Sequence, residues 1–276
     1  MKKLAVVGAG SMAEAIIAGI LESNLLKSSQ IYVTNKCNQE KLEELSSNYH
    51  VKIGYDMQQI FTDADAIMLA MKPKDAADAI RAIKDHLTSD TLIISVLAGV
   101  SISSIEQLAG KELAVVRTMP NTSAAIGKSA SALAINERVS EQQMQKCKKI
   151  FETIGFTAIV EEEQLDAVTG LSGSGPAYVY YLAEAMEKCA KEIGLDNEMA
   201  KGLIIQTLIG AAEMLAKSHK TPAELRKAVT SPGGTTEAGI QVLEANEVQQ
   251  SVIDCIKTAA ERSKQLGENF SSKVKV

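Results

Sequence analysis

Short β-branched apolar runs alternate with segments of helical period from Lys3 to about Val160. That alternation is the pattern of a parallel sheet crossed by helices. Strands are predicted near Leu4–Val7, Gln30–Thr34, Ala66–Ala70, Thr91–Val96, Leu113–Arg117, Ala130–Ile135 and Thr157–Val160. Helices are predicted between several of them, at Met12–Ser23, Lys74–His86 and Glu141–Ile154. After about Glu161 the β-branched runs stop, and apolar residues recur at helical spacing in Pro176–Ile193, Asn197–Ser218, Pro222–Val229 and Thr236–Leu266. The expected fold class is α/β, with a mostly parallel sheet domain in residues 1–160 and an all-α domain in residues 161–276, joined with little linker. The tail from Ser271 to Val276 is expected to fray.

Composition narrows the function classes. The 276 residues suit two domains, and the 46% hydrophobic and 23% charged content is that of a globular chain. Aromatics are only 4% and Trp is absent, so the core is expected to be aliphatic. With 34 acidic residues against 29 basic ones, the net charge of -5 gives neither nucleic acid nor an anionic membrane a general attraction. Cys37, Cys147, Cys189 and Cys255 have no C-x-x-C spacing and read as reduced thiols. His50, His86 and His219 lie in polar segments with no Glu or Cys at ligand spacing, so no metal is expected. Met1-Lys2-Lys3-Leu4 starts like a signal peptide, but Gly8-Ala9-Gly10 and Glu14 interrupt the apolar run, which predicts a strand. No uncharged apolar run reaches the ~18–20 residues of a membrane span, and the expectation is a soluble, cytoplasmic protein.

Chemistry concentrates in a few turns. Gly8-Ala9-Gly10-Ser11-Met12-Ala13 is a G-x-G-x-x-A that follows a strand and opens an Ala/Ile-rich helix. In that context it is a dinucleotide fingerprint: glycines allow a tight turn and close approach to a pyrophosphate at the helix N-terminus. NAD-preferring sites carry Asp or Glu at the end of the second strand. Thr34-Asn35-Lys36 stands there instead, a neutral amide followed by a cation, which favours a 2′-phosphate and hence NADP, with NADH the lesser option. Ala70-Met71-Lys72-Pro73 and Arg117-Thr118-Met119-Pro120-Asn121-Thr122 follow strands on the same carboxyl edge, where a Lys-Pro turn alone is ordinary punctuation. In the helical half, Leu171-Ser172-Gly173-Ser174-Gly175-Pro176-Ala177-Tyr178 and Thr230-Ser231-Pro232-Gly233-Gly234-Thr235-Thr236-Glu237 feed helices whose free amides suit a carboxylate. Taken one motif at a time, capping is the better explanation of Ser and Thr at such places. There is no G-x-S-x-G elbow to support acyl transfer.

Taken together, Val7-Gly8-Ala9-Gly10-Ser11-Met12, Ala70–Pro73, Met119–Thr122, Gly173–Tyr178 and Ser231–Thr236 resemble, in order and over essentially the whole chain, the Δ1-pyrroline-5-carboxylate reductases. The resemblance implies a Rossmann-like N-terminal domain and an α-helical C-terminal domain that binds substrate and dimerises, often within a ring of dimers. It implies reduction of L-1-pyrroline-5-carboxylate to L-proline by NADPH. Val7 to Met12, Asn35, Lys36, Ala70, Met71, Lys72, Pro73, Val96, Leu97 and Ala98 would line the cofactor site. Ser231, Gly233, Gly234, Thr235, Thr236, Ser174 and Gly175 would hold the substrate, with the Thr236 hydroxyl facing the ring nitrogen as the catalytic group. Two departures stand out: Asp56-Met57 replaces the Asn common in relatives, and Ser123 replaces the Pro that follows the Met-Pro-Asn-Thr motif in many. The β-hydroxyacid dehydrogenases share the two-domain plan but need a Lys and an Asn where this chain has Val179 and Leu182, which supply no base. A reductase of another cyclic imine and a non-catalytic NADP-binding scaffold are the remaining alternatives.

Overall fold

In the computed structural model, which describes residues 1–274, the chain packs as two compact units. One comprises Met1–Ser174 together with the chain from Lys257, and the other is Gly175–Ile256. Composition places the change at Val160, but the helical segment just after it packs with the sheet: Leu165 is buried beside Met119, Ala132 and Ala134.

The first unit is an eight-stranded sheet in the order β3-β2-β1-β4-β5-β6-β7-β8. The strands are β1 (Leu4–Val7), β2 (Ile31–Thr34), β3 (Lys52–Ile53), β4 (Ala66–Leu69), β5 (Leu92–Ser95), β6 (Ala114–Met119), β7 (Ser129–Ile135) and β8 (Gly155–Ile159). Among the described residues only the β6–β7 pair is antiparallel, with Arg117 opposite Ala134. The helices are α1 (Ser11–Glu22), α2 (Gln39–Tyr49), α3 (Met57–Phe61), α4 (Ala76–Ile83), α5 (Ile102–Ala109), α6 (Glu141–Glu152) and α7 (Leu165–Val168). Both sheet faces are covered. Leu4, Val6, Ile31, Val33, Met68, Ile94 and Val116 pack with α1 and α6 on one side, while Ala5, Val7, Ile67, Leu69, Ile93 and Val115 pack with α4 and α5 on the other. Burial on both faces explains why these strands read as unbroken apolar runs. Cys147 is fully buried in α6, where desolvation pushes its thiol well above the usual range, while Cys37, Cys189 and Cys255 are exposed; all four are free thiols.

The second unit holds α8 (Gly175–Glu192), α9 (Asn197–Lys217), α10 (Pro222–Ala228), α11 (Thr235–Ala245) and the first part of α12 (Val248–Val274). The single helix expected over Thr236–Leu266 is two, broken at Asn246-Glu247 where Glu247 takes φ 51°. The expected fraying of the tail is also overturned up to Val274, with Lys275 and Val276 outside the described residues. The last turns of α12 dock on the sheet unit: Gly267 lies against Gly99, Ser271 Oγ is 3.0 Å from Ser104 Oγ, and Val274 is buried with the α5 face. Removing two methyl groups there by Val274→Ala is expected to lower unfolding free energy by about 1–2 kcal/mol, read from urea melts.

Candidate active site

The strand order switches between the parallel neighbours β1 and β4, with β2 and β3 added on one side of the pair and β5 onward on the other. Ligands of open α/β sheets bind at the carboxyl ends beside such a switch point, and the fingerprint turn sits there. Gly8 takes φ +116°, and a Cβ on it would lie 2.5 Å from the Ala70 carbonyl carbon and oxygen. The turn is stitched to both neighbours, since Gly8 N–H donates to Thr34 O at 2.8 Å and Ala70 N–H to Val7 O at 2.8 Å. Gly10 serves differently: it is the extended N-cap of α1, offers no side chain to the helix amides, and a Cβ there would meet nothing within 4 Å. The open space beside uncapped N-terminal amides is what a pyrophosphate needs. Thr34 Oγ1, buried at the end of β2, has no hydrogen-bond partner among the described residues. The residues therefore fit a dinucleotide.

Val7–Met12, Asn35–Lys36, Ala70–Pro73 and Val96–Ala98 all stand at or just beyond the carboxyl ends of the adjacent strands β2, β1, β4 and β5. Their availability differs. Asn35 is spent locally: its Nδ2 donates to Asn38 O at 2.6 Å, and its Oδ1 accepts from Asn38 N at 2.8 Å and from the Tyr55 hydroxyl at 3.0 Å. Lys36 is free to turn outward, being 70% exposed and only loosely paired with Asp75 at 3.5 Å and Asp78 at 4.0 Å. Lys72 is exposed at the start of the 3₁₀ turn Pro73–Asp75. Leu97 is buried in the core, leaving only its backbone to face a ligand, while Ala98 is exposed. Asp56 caps α3, accepting from Gln59 N at 3.2 Å.

Ser174 follows a π-helical turn, Thr169–Gly173, closed by a Ser174 N–H to Thr169 O bond of 2.8 Å. Asn121 reaches this turn: its Nδ2 donates to Ser172 O at 3.0 Å. Gly175 then opens α8.

The second glycine turn lies wholly within the other unit. Gly233 takes φ +71° and Gly234 is the extended N-cap of α11, again without a side-chain cap. The Gly234 amide donates to Ser231 O at 3.0 Å and is thereby committed to the turn. Glu237, unremarked as a site residue in the sequence beyond its place in the motif, accepts from Gly233 N at 2.7 Å. Its position three residues past the N-cap was the available signal. The amides of Thr235 and Thr236 in the first turn of α11, both residues exposed, are the ones left for an anion. Among the described residues there is no group of His, Cys, Asp and Glu that would hold a metal ion.

Comparison with known proteins bears on both units. A family model for pyrroline-5-carboxylate reductase dimerisation matches residues 162–266, and one for NADP oxidoreductase, coenzyme F420-dependent, matches residues 3–99. Pyrroline-5-carboxylate reductase 2 of Bacillus subtilis is 51% identical over 271 residues, covering 98% of this chain and 97% of that protein. The solved structure of a Coxiella burnetii pyrroline-5-carboxylate reductase superposes with a TM-score of 0.88 at 35% identity, covering 96% and 98% of the two chains. That of Plasmodium falciparum pyrroline carboxylate reductase with NADP bound gives 0.87 at 30% identity, covering 96% and 98%.

Proposed function

The chain belongs to the pyrroline-5-carboxylate reductase family, and on that premise we propose how its residues divide the work of reducing L-1-pyrroline-5-carboxylate to L-proline. It is an NADP-dependent oxidoreductase with a dimerisation domain, and so a homodimer. NADPH, when bound, supplies the hydride. The fingerprint amides of Gly10, Ser11 and Met12 hold the pyrophosphate, and Lys36 attracts the 2′-phosphate, with Val96–Ala98 and Ala70–Pro73 flanking the cofactor. NADH is accepted with lower preference.

The substrate is a cyclic imine whose protonated form already accepts hydride, so the protein's task is placement more than acid strength. The carboxylate is held by the Thr235 and Thr236 amides at the positive end of α11. Ser231, Gly233 and Gly234 shape that turn, and Ser174 and Gly175 belong to the substrate-binding set by the family resemblance. The Thr236 hydroxyl then orients the ring nitrogen and keeps its proton in line as hydride arrives at the imine carbon. The observation carrying this reading is the uncapped first turn of α11, preceded by a glycine at φ +71°. Residues 161–276 form the substrate-binding and dimerising part, residues 1–160 the cofactor part, and the dimers assemble further into a ring in the cytoplasm.

The test is the initial rate of NADPH and NADH oxidation with pyrroline-5-carboxylate beside the six-membered piperideine-6-carboxylate. Faster turnover of the five-membered imine, with higher kcat/KM for NADPH, is expected. Thr236→Ala should lower kcat by about 10- to 100-fold with NADPH affinity intact, and Thr236→Ser should restore most of it. Full kcat and KM in Thr236→Ala would remove the hydroxyl from the mechanism. Turnover of neither imine by protein that binds NADPH would favour the scaffold alternative.

A further inference from the structure

We propose that Asn121 is a positioning residue for this reaction, holding the π-helical turn Thr169–Gly173 so that Ser172–Ser174 stand in place. The inference rests on the assignment of Ser174 to the substrate site. Asn121 is buried, 8% exposed, just past the carboxyl end of β6. Its Oδ1 is fixed by the Ser123 amide at 3.1 Å, which caps the 3₁₀ turn Thr122–Ile126. Its backbone N–H donates to Ser129 Oγ at 3.0 Å, and that hydroxyl lies 3.0 Å from Ser131 Oγ. With the oxygen and main chain pinned, the amide nitrogen is aimed at Ser172 O, 51 residues away in sequence.

The target is a kind of backbone that needs support. A π-helical turn is rare and concentrates at functional sites, and here it leads straight into Ser174. The same strand anchors the segment's other end. Arg117, 9% exposed in its side chain, pairs with Glu162 at 2.7 Å, and Glu162 also accepts from Ile102 N at 2.8 Å. The stretch from Glu162 to Gly173 is thus held at both ends from β6 and the residues that follow it, with Leu165 buried between the two anchors.

A residue serving only as a local cap needs just the oxygen of Asn121, and Asp would do as well. The donor half of the carboxamide is what the turn uses. Asn121→Asp is therefore the discriminating variant: it keeps an acceptor for Ser123 and loses the donor to Ser172. We expect a fall in kcat/KM for pyrroline-5-carboxylate of about 10- to 100-fold, the scale of a 1 Å misplacement, with the Kd for NADPH by fluorescence titration within twofold of wild type. Amide hydrogen exchange over residues 168–175 should quicken while β4 and β5 stay protected. Should N121D not fold, N121A reads the same quantities without a buried charge. Wild-type kcat/KM in a folded variant, or unchanged exchange over 168–175, would overturn the proposal. Failure of the wild-type protein to reduce the imine would sink the parent assignment instead, and the exchange data, which need no turnover, would still judge the clamp.

Discussion

Gly8→Ala is expected to weaken NADPH binding by at least ~100-fold and to lower unfolding free energy by about 3 kcal/mol or more. The added Cβ would lie 2.5 Å from the Ala70 carbonyl carbon and oxygen and 2.6 Å from Met71 N, all backbone atoms with no flexible end to swing aside. At φ +116° the alanine would also be strained by about 1–2 kcal/mol before any clash. Relief requires the ends of β1 and β4 to part, at the expense of the Ala70 to Val7 bond. That parting opens the switch point where the cofactor is placed. Gly10→Ala is the control, because its Cβ meets nothing of the protein within 4 Å. It should unfold in urea like wild type and lose only cofactor affinity. Equal NADPH affinity in Gly8→Ala and wild type, by fluorescence titration, would remove the turn from the cofactor site.

The strand-turn-helix around Gly8 was legible because three signals agree there: a buried apolar run, glycines with a backbone reason, and an Ala/Ile helix. Where a signal is short or its partner is distant, sequence falls silent. β3 is two residues, Lys52–Ile53, too short for any period to register. α2 buries only Leu42 and Leu45 among its 11 residues, too few to mark a helical period. The reversal of β7 is written in loop length rather than hydrophobicity, since the nine residues from Pro120 to Lys128 are too few for a parallel crossover. The break between α11 and α12 has no Gly or Pro to announce it, and Glu247 takes a left-handed φ of 51° in its place.

Site residues divide on the same line. The motifs marked where the turns lie, and the fold brings the cofactor set together at one sheet edge. What each polar atom is left to bind depends on neighbours that sequence spacing does not reveal. Asn35 is absorbed by Asn38 and Tyr55, and the Gly234 amide by Ser231. Leu97 turns inward. Asn121 read as strand-end punctuation, yet it reaches Ser172 across 51 residues.

The double substitution Ile205→Glu and Ile209→Glu is expected to convert the dimer to monomer. α9 runs 21 residues, and by length and composition it is apolar enough to cross a membrane, with a mean hydropathy of 1.3. Only Ala200 and Ile204 are buried within one copy. Leu203, Ile205, Ile209 and Met214 are about half exposed there, an apolar surface a lone soluble chain does not keep. The dimerisation family model spans this helix, so the face is expected to meet a second copy. Ile205 and Ile209 are four residues apart on one side of α9, and symmetry repeats each change in the partner. Burying the exposed half of four isoleucines is worth about 3–6 kcal/mol, and four carboxylates in their place add repulsion and desolvation. The burial loss alone weakens the dimer by at least ~100-fold. Light scattering after gel filtration should show the monomer mass or aggregates, while NADPH titration still reports a folded sheet unit. A dimer of wild-type mass would move the interface to another face of the helical unit.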